Sequence, residues 1–153
     1  MRIVVASDHA GVDLRQEMAD EARELGHEVV DLGPAPGEAV DYPVNGARVG
    51  RLVAAGEYDL GMLVCGTGVG ISIAANKIRG IRAVVCSEPY SAKLARQHNN
   101  ANVLAVGARV VGPGLARLIV REWLTAEFEG GRHARRVGLI EPSDSATAGE
   151  QLS

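Results

Sequence analysis

The run from Leu60 to Lys77, LGMLVCGTGVGISIAANK, joins a thiol to a glycine loop. Its apolar start (Met62, Leu63, Val64) reads as a buried strand ending at Cys65, and a helix is expected over about residues 69–76. Between them lie Gly66, Thr67, Gly68, Val69 and Gly70. A cysteine at such a corner faces the amino end of a helix, whose dipole and free N–H groups favour the thiolate, the form that acts as base or nucleophile. The same N–H groups cradle an anion, either a phosphate or an oxyanion that develops during reaction.

The glycine spacing narrows the ligand. Gly66, Gly68 and Gly70 give G-x-G-x-G rather than the G-x-G-x-x-G of a dinucleotide site. The loop follows the third strand, and no Walker-type lysine comes after it. A nicotinamide cofactor is therefore not expected, and a small phosphorylated or oxyanionic ligand fits better.

Other polar residues gather at expected strand ends. Asp8 and His9 follow the first strand, and Asp41 and Tyr42 close the loop after the second. Asp8 has two readings, a pocket carboxylate or simply the cap of the next helix. Cys86 reads as a small buried hydrophobe. His98 and Asn99, with Asn100 and Asn102, are placed between the fourth helix and the fifth strand, on the amino edge of the sheet. That is the wrong edge for the chain's own pocket, so His98 is either structural or enters a neighbour's pocket. Arg132 and Arg136 stand one helical turn apart, as solvated surface or as a phosphate clamp. Arg109, after the fifth strand, is a further phosphate candidate.

Positioning these residues takes alternating strands and helices. Strands are expected at Arg2–Ala6, Glu28–Leu32, up to Cys65, Ala83–Cys86 and Val103–Val106. Helices are expected from about Val12 to Leu25, from Pro43 to Gly56, after the glycine loop, from Pro89, and from Pro113. In the first of these, Leu14, Met18, Ala22 and Leu25 share one face and the charges lie elsewhere. This alternation means an α/β fold, a doubly wound, Rossmann-like parallel sheet of five strands in a single domain. Ligands of such sheets bind at the carboxyl edge. Residues 1–140 form the domain, and 141–153, rich in Ser, Ala, Thr and Gly, read as a disordered tail.

Composition excludes several classes. The chain has 153 residues, 16 Lys and Arg against 19 Asp and Glu, and scattered basic residues, which argues against a general nucleic-acid binder. Two cysteines and a strand at the very start argue against a disulfide framework or a signal peptide. No apolar stretch approaches the ~20 residues of a membrane span. A reducing, cytoplasmic setting is expected.

Several blocks together resemble a known family. They are DHAG at Asp8–Gly11, DYP at Asp41–Pro43, CGTGVGISIAANK at Cys65–Lys77, GIRAVVCSEPYSA at Gly80–Ala92, RQHNNANVLAVGARVVG at Arg96–Gly112 and EGGRHARRV at Glu129–Val137. From residue 2 to about 140 the chain resembles the family of type B ribose-5-phosphate isomerases and galactose-6-phosphate isomerase subunits. The resemblance implies an aldose–ketose isomerase acting through a cis-enediolate, with no metal or organic cofactor. It assigns Cys65 as the base, and Thr67 with the amides of Gly66, Gly68 and Gly70 as the anion hole. His98, from a partner subunit, would open the furanose, with Asp8 and Tyr42 around the ring oxygen and hydroxyls. Asn99 would hold the reacting end, and His9, Arg109, Arg132 and Arg136 the phosphate. One branch uses a glutamate base at a position that here is Ile71, which puts this chain in the cysteine branch. The implied partners are a phosphorylated sugar and further copies of the chain, as dimer or tetramer with shared sites. The rivals are an isomerase of another sugar phosphate (allose 6-phosphate, galactose 6-phosphate, a tetrose phosphate) and a non-catalytic sugar-phosphate sensor, for which a reactive thiol has no use.

Overall fold

The computed structural model describes residues 1–141. The expected tail therefore falls, from residue 142 on, outside the described residues. Five strands, β1 (Arg2–Ser7), β2 (Glu28–Asp31), β3 (Leu60–Cys65), β4 (Ala83–Val85) and β5 (Val103–Gly107), form one parallel sheet in the order β2-β1-β3-β5-β4. The helices are α1 (Val12–Glu24), α2 (Tyr42–Ala54), α3 (Val69–Asn76), α4 (Pro89–Asn99), α5 (Pro113–Thr125) and α6 (Arg132–Ile140). Among the described residues, no helix is long and apolar enough to cross a membrane.

The strands are apolar on both faces, as a doubly covered parallel sheet requires. Their side chains alternate between two cores. Ile3, Val5, Met62, Val64, Leu104 and Val106 face α1, α4 and α5, where they meet Met18, Ile119 and Trp123. Val4, Ala6, Leu63, Cys65, Val103 and Ala105 face α2 and α3, where they meet Val49, Ile71 and Ala75. Cys65 therefore ends β3 on the α2–α3 side. Ile71 is fully buried in that core.

The sheet order sets the place of the crevice. The chain leaves β1 toward one edge and β3 toward the other, so the switch point lies between the carboxyl ends of β1 and β3. Asp8 and Cys65 flank it, and the Asp8 N–H donates to the Val64 carbonyl at 3.0 Å.

Three features differ from the sequence expectation. His98 and Asn99 lie in the last turn of α4 rather than in a loop, and the helix ends at Asn100, whose φ of 46° breaks the helical repeat. Arg132 and Arg136 sit on a sixth helix. The charges of α1 do not all lie outside: Arg15 and Glu21 are buried. Glu21 is met by Arg121 at 2.7 Å and Arg117 at 3.0 Å, both from α5. Arg15 reaches three partners, Asp31 at the end of β2, the Ser7 hydroxyl at 2.7 Å and the Pro34 carbonyl at 3.0 Å. On the other side, the Asn45 amide donates to the Ser7 carbonyl at 2.7 Å. A buried polar clasp thus holds the end of β1 from α1, β2 and α2, directly beneath Asp8 and His9.

Candidate active site

Cys65 is buried at the end of β3, and its Sγ accepts the Gly68 N–H at 3.1 Å. Gly68 makes this turn possible with a φ of +79°, a backbone conformation that costs glycine nothing. The amides that open α3 lack partners within the helix, as at any helix start. The other wall of the loop comes from the end of β5, where Ala108 and Arg109 donate their N–H groups to the carbonyls of Cys65 and Gly66 at 2.8 and 3.0 Å. These bonds occupy the carbonyls of Cys65 and Gly66 and tie the start of the loop to the end of β5. Thr67 is exposed at the tip, with Oγ1 3.4 Å from the Val69 nitrogen.

Around this loop and the end of β3 the structure gathers three more of the expected residues, Arg109, Tyr42 and Asp8. Arg109 is exposed and lies over Gly66, its guanidinium 3.3 Å from where a Cβ would stand. The Tyr42 ring covers Gly70. Asp8 is nearly buried, and its Oδ1 accepts the Ala10 N–H at 2.9 Å. It does not cap α1, whose N-cap is Gly11, so the cap reading is set aside. His9 is exposed beside a small cleft of about 180 Å³ lined with Ala10, Val12, Asp13, Pro36 and Gly37.

The remaining expected residues form a separate cluster. Arg82, just before β4, donates to the carbonyls of Asn99 and Asn100 at 3.1 Å, which fixes the end of α4 at the amino edge. His98 therefore lies across the sheet from Cys65. Its ring stacks on His133 with centroids 4.2 Å apart and planes 4° from parallel. Glu129 Oε2 lies 3.8 Å from His98 Nε2 and 3.4 Å from His133 Nε2. The exposed Arg132 and Arg136 belong to the same helix as His133. Burial, then the charges of His98 and Arg132, push the His133 pKa below its ordinary value, with Glu129 opposing.

Sequence reasoning missed His133, Glu129, and the Arg15–Ser7–Asn45 clasp. A signal for the first two exists, since Glu129 and His133 stand four apart beside the arginine pair. The imidazoles and carboxylate of His98, His133 and Glu129 have donor atoms within 4.8 Å of one another. They suit a metal poorly. Stacked rings point their lone pairs side by side rather than toward one ion, and the neighbouring arginines repel a cation. A cleft of about 570 Å³ opens nearby, lined by Lys77, Arg79, Arg82 and Ile140, on the edge away from Cys65.

Residues 3–140 match the family model described as Ribose/Galactose Isomerase. This chain belongs to that family. Among its relatives is ribose-5-phosphate isomerase B of Escherichia coli, 57% identical over 91% of this chain and 93% of the relative. D-erythrulose-4-phosphate isomerase of Pectobacterium atrosepticum is 44% identical over 92% of this chain and 95% of the relative. The solved structure of Clostridium thermocellum ribose-5-phosphate isomerase B superposes with a TM-score of 0.88 at 55% identity, covering 92% of this chain and 95% of that one. The Ribose/Galactose Isomerase fold thus matches the five-stranded parallel sheet expected above.

Proposed function

We propose that this chain interconverts D-ribose 5-phosphate and D-ribulose 5-phosphate with Cys65 as the proton carrier. The observation that carries the reading is the Cys65 sulfur beneath the Gly68 N–H, at the mouth of a loop whose Cys65 and Gly66 carbonyls are already engaged. A base beside oriented N–H donors is what proton removal next to a carbonyl requires.

Catalysis begins with ring opening. Protonated His98 gives its proton to the furanose ring oxygen as the C1–O bond breaks, and the anomeric hydroxyl releases its proton to solvent. Asp8 and Tyr42 hold the hydroxyls. The Cys65 thiolate then removes the C2 proton, and the electron pair moves onto the C1 oxygen. Thr67 and the amides from Gly66 to Gly70 stabilise the enediolate. The thiol returns its proton to C1, and the O2 hydroxyl proton passes to O1, leaving the ketose. Asn99 steadies the reacting end, while His9, Arg109, Arg132 and Arg136 grip the phosphate. Binding energy at that remote group serves to position the reacting carbons. No step needs a metal or an organic cofactor.

Since the two clusters lie at opposite sheet edges, the pocket is completed by a second copy that brings His98, Asn99, Arg132 and Arg136. The active unit is a homodimer or a tetramer of such dimers. A reducing cytoplasm suits a mechanism that needs a free thiol.

The relative from Pectobacterium favours a second reading, a tetrose phosphate as substrate, at lower identity than the ribose-5-phosphate isomerase B of Escherichia coli. Measuring kcat/KM for both sugars, with and without chelator, tests the choice. The highest value for ribose 5-phosphate, resistant to chelation and abolished in Cys65→Ala, is expected. A higher value for the tetrose phosphate would overturn the substrate, and binding without turnover would make the chain a sensor.

A further inference from the structure

We infer that Glu129 and His133 are positioning residues that hold the His98 ring in place for ring opening. This rests on the reading above, in which His98 is the acid. A histidine in the last turn of a helix, with about a third of its side chain exposed, is free to change rotamer unless something holds it. Here His133 holds it face to face.

His133 is itself fixed. It is buried in the first turn of α6, and its N–H donates to the Gly130 carbonyl at 2.9 Å. The strand of chain before it is tied to α4, since the Glu129 N–H donates to the Gln97 carbonyl at 3.0 Å. Gln97 directly precedes His98, so one backbone bond sets the register of the whole arrangement. The stack is thus a docked surface between two helices.

Arg132 Nε donates toward His133 Nε2 at 3.4 Å, which needs a lone pair on that nitrogen. Arg132 and Arg136 both disfavour a second positive charge on His133. Two stacked imidazolium rings would also repel. A positive charge on His133 is thus disfavoured, while Glu129 Oε2 faces both rings, 3.4 Å from His133 Nε2 and 3.8 Å from His98 Nε2. On its own helix, Arg96 is turned away toward Trp123 and the Ala101 carbonyl, and Lys93 pairs with Glu122. Glu129 is the carboxylate that meets both rings of the stack.

The test compares the full-length wild type with Glu129→Gln, His133→Ala and His133→Phe in steady-state kinetics on ribose 5-phosphate. Losing the carboxylate removes a contact that fixes the stacked pair in Glu129→Gln. In that variant kcat should fall about tenfold or more, within the usual range for general acids, while KM stays near wild type. His133→Phe keeps a flat face for stacking and should recover part of the loss seen in His133→Ala. Trp123 fluorescence verifies that each variant is folded. An unchanged kcat in Glu129→Gln, or a His133→Phe no better than His133→Ala, would overturn the inference. Failure of the underlying reading looks different: a wild type inactive on ribose 5-phosphate, or a fully active His98→Gln.

Discussion

The Tyr42 ring lies so close over Gly70 that a Cβ on this glycine would stand 2.7 Å from a ring carbon. One residue opens α2 and the other lies in the first turn of α3, so the contact brings two helix starts together above the thiol. It needs glycine for space rather than for backbone freedom.

Gly70→Ala should therefore push the ring aside. Tyr42 is 44% exposed and has room to swing, so the fold should survive while KM for the sugar phosphate rises. Gly107→Ala should behave otherwise, because there the new Cβ meets the Thr67 backbone at 2.7 Å. Backbone cannot rotate away, and a cost of about 1–3 kcal/mol of stability is expected. Steady-state kinetics and urea unfolding of both variants check the contrast. Equal loss of stability in the two would refute it.

Arg15 offers a test of the buried clasp. Replacing it by Met leaves Asp31, the Ser7 hydroxyl and the Pro34 carbonyl without their shared donor. Asp31 is partly open to water, so the cost comes mainly from the buried Ser7 hydroxyl and Pro34 carbonyl left unpaired, about 1–3 kcal/mol. Urea unfolding followed by the single tryptophan, Trp123, should show a lower midpoint for Arg15→Met. An unchanged midpoint would mean that the guanidinium is merely tolerated there.

Glu88 carries a pH signature. Its carboxylate accepts the N–H groups of Tyr90 and Ser91 at 2.7 and 2.8 Å, capping α4. The Ser91 hydrogen bonds, with a smaller one from Tyr90, hold its pKa below the ordinary value of 4.5. A lowered carboxylate pKa stabilises the fold above the unfolded value, and that stabilisation is lost as pH falls through the folded value. Glu88→Ala should thus lower Tm at pH 7, and the gap from wild type should close in acid. A gap that persists at low pH would count against the cap as its source.

Much of this was legible in the residues themselves. Alternation gave five strands near their true places because each apolar run is bounded by Gly, Pro or a charge. Cys65 and its glycines were legible because the loop is local, with every spacing contained in a few residues. The burial of Arg15 was not, since a helical pattern ranks a cation as exposed and its partners come from β1, β2 and the following loop. His133 was hidden for a similar reason. Its partner, His98, sits on another helix, and only packing of α6 against α4 stacks them. Asp8 allowed two readings until Gly11 was found at the helix start instead.

The glycine contacts bear on how this chain can vary. A methyl group at Gly11 would meet Val64 at 2.7 Å, at Gly46 the Ile71 carbonyl at 2.6 Å, and at Gly107 the Thr67 backbone. None of these three glycines carries a functional group, yet each sets how closely another element approaches β3, the loop that follows it or α3. Random mutation should therefore find its least forgiving positions here, at seams between elements. Drift has wide room on the outer helix faces, and little where one extra carbon would pry open the floor of the pocket.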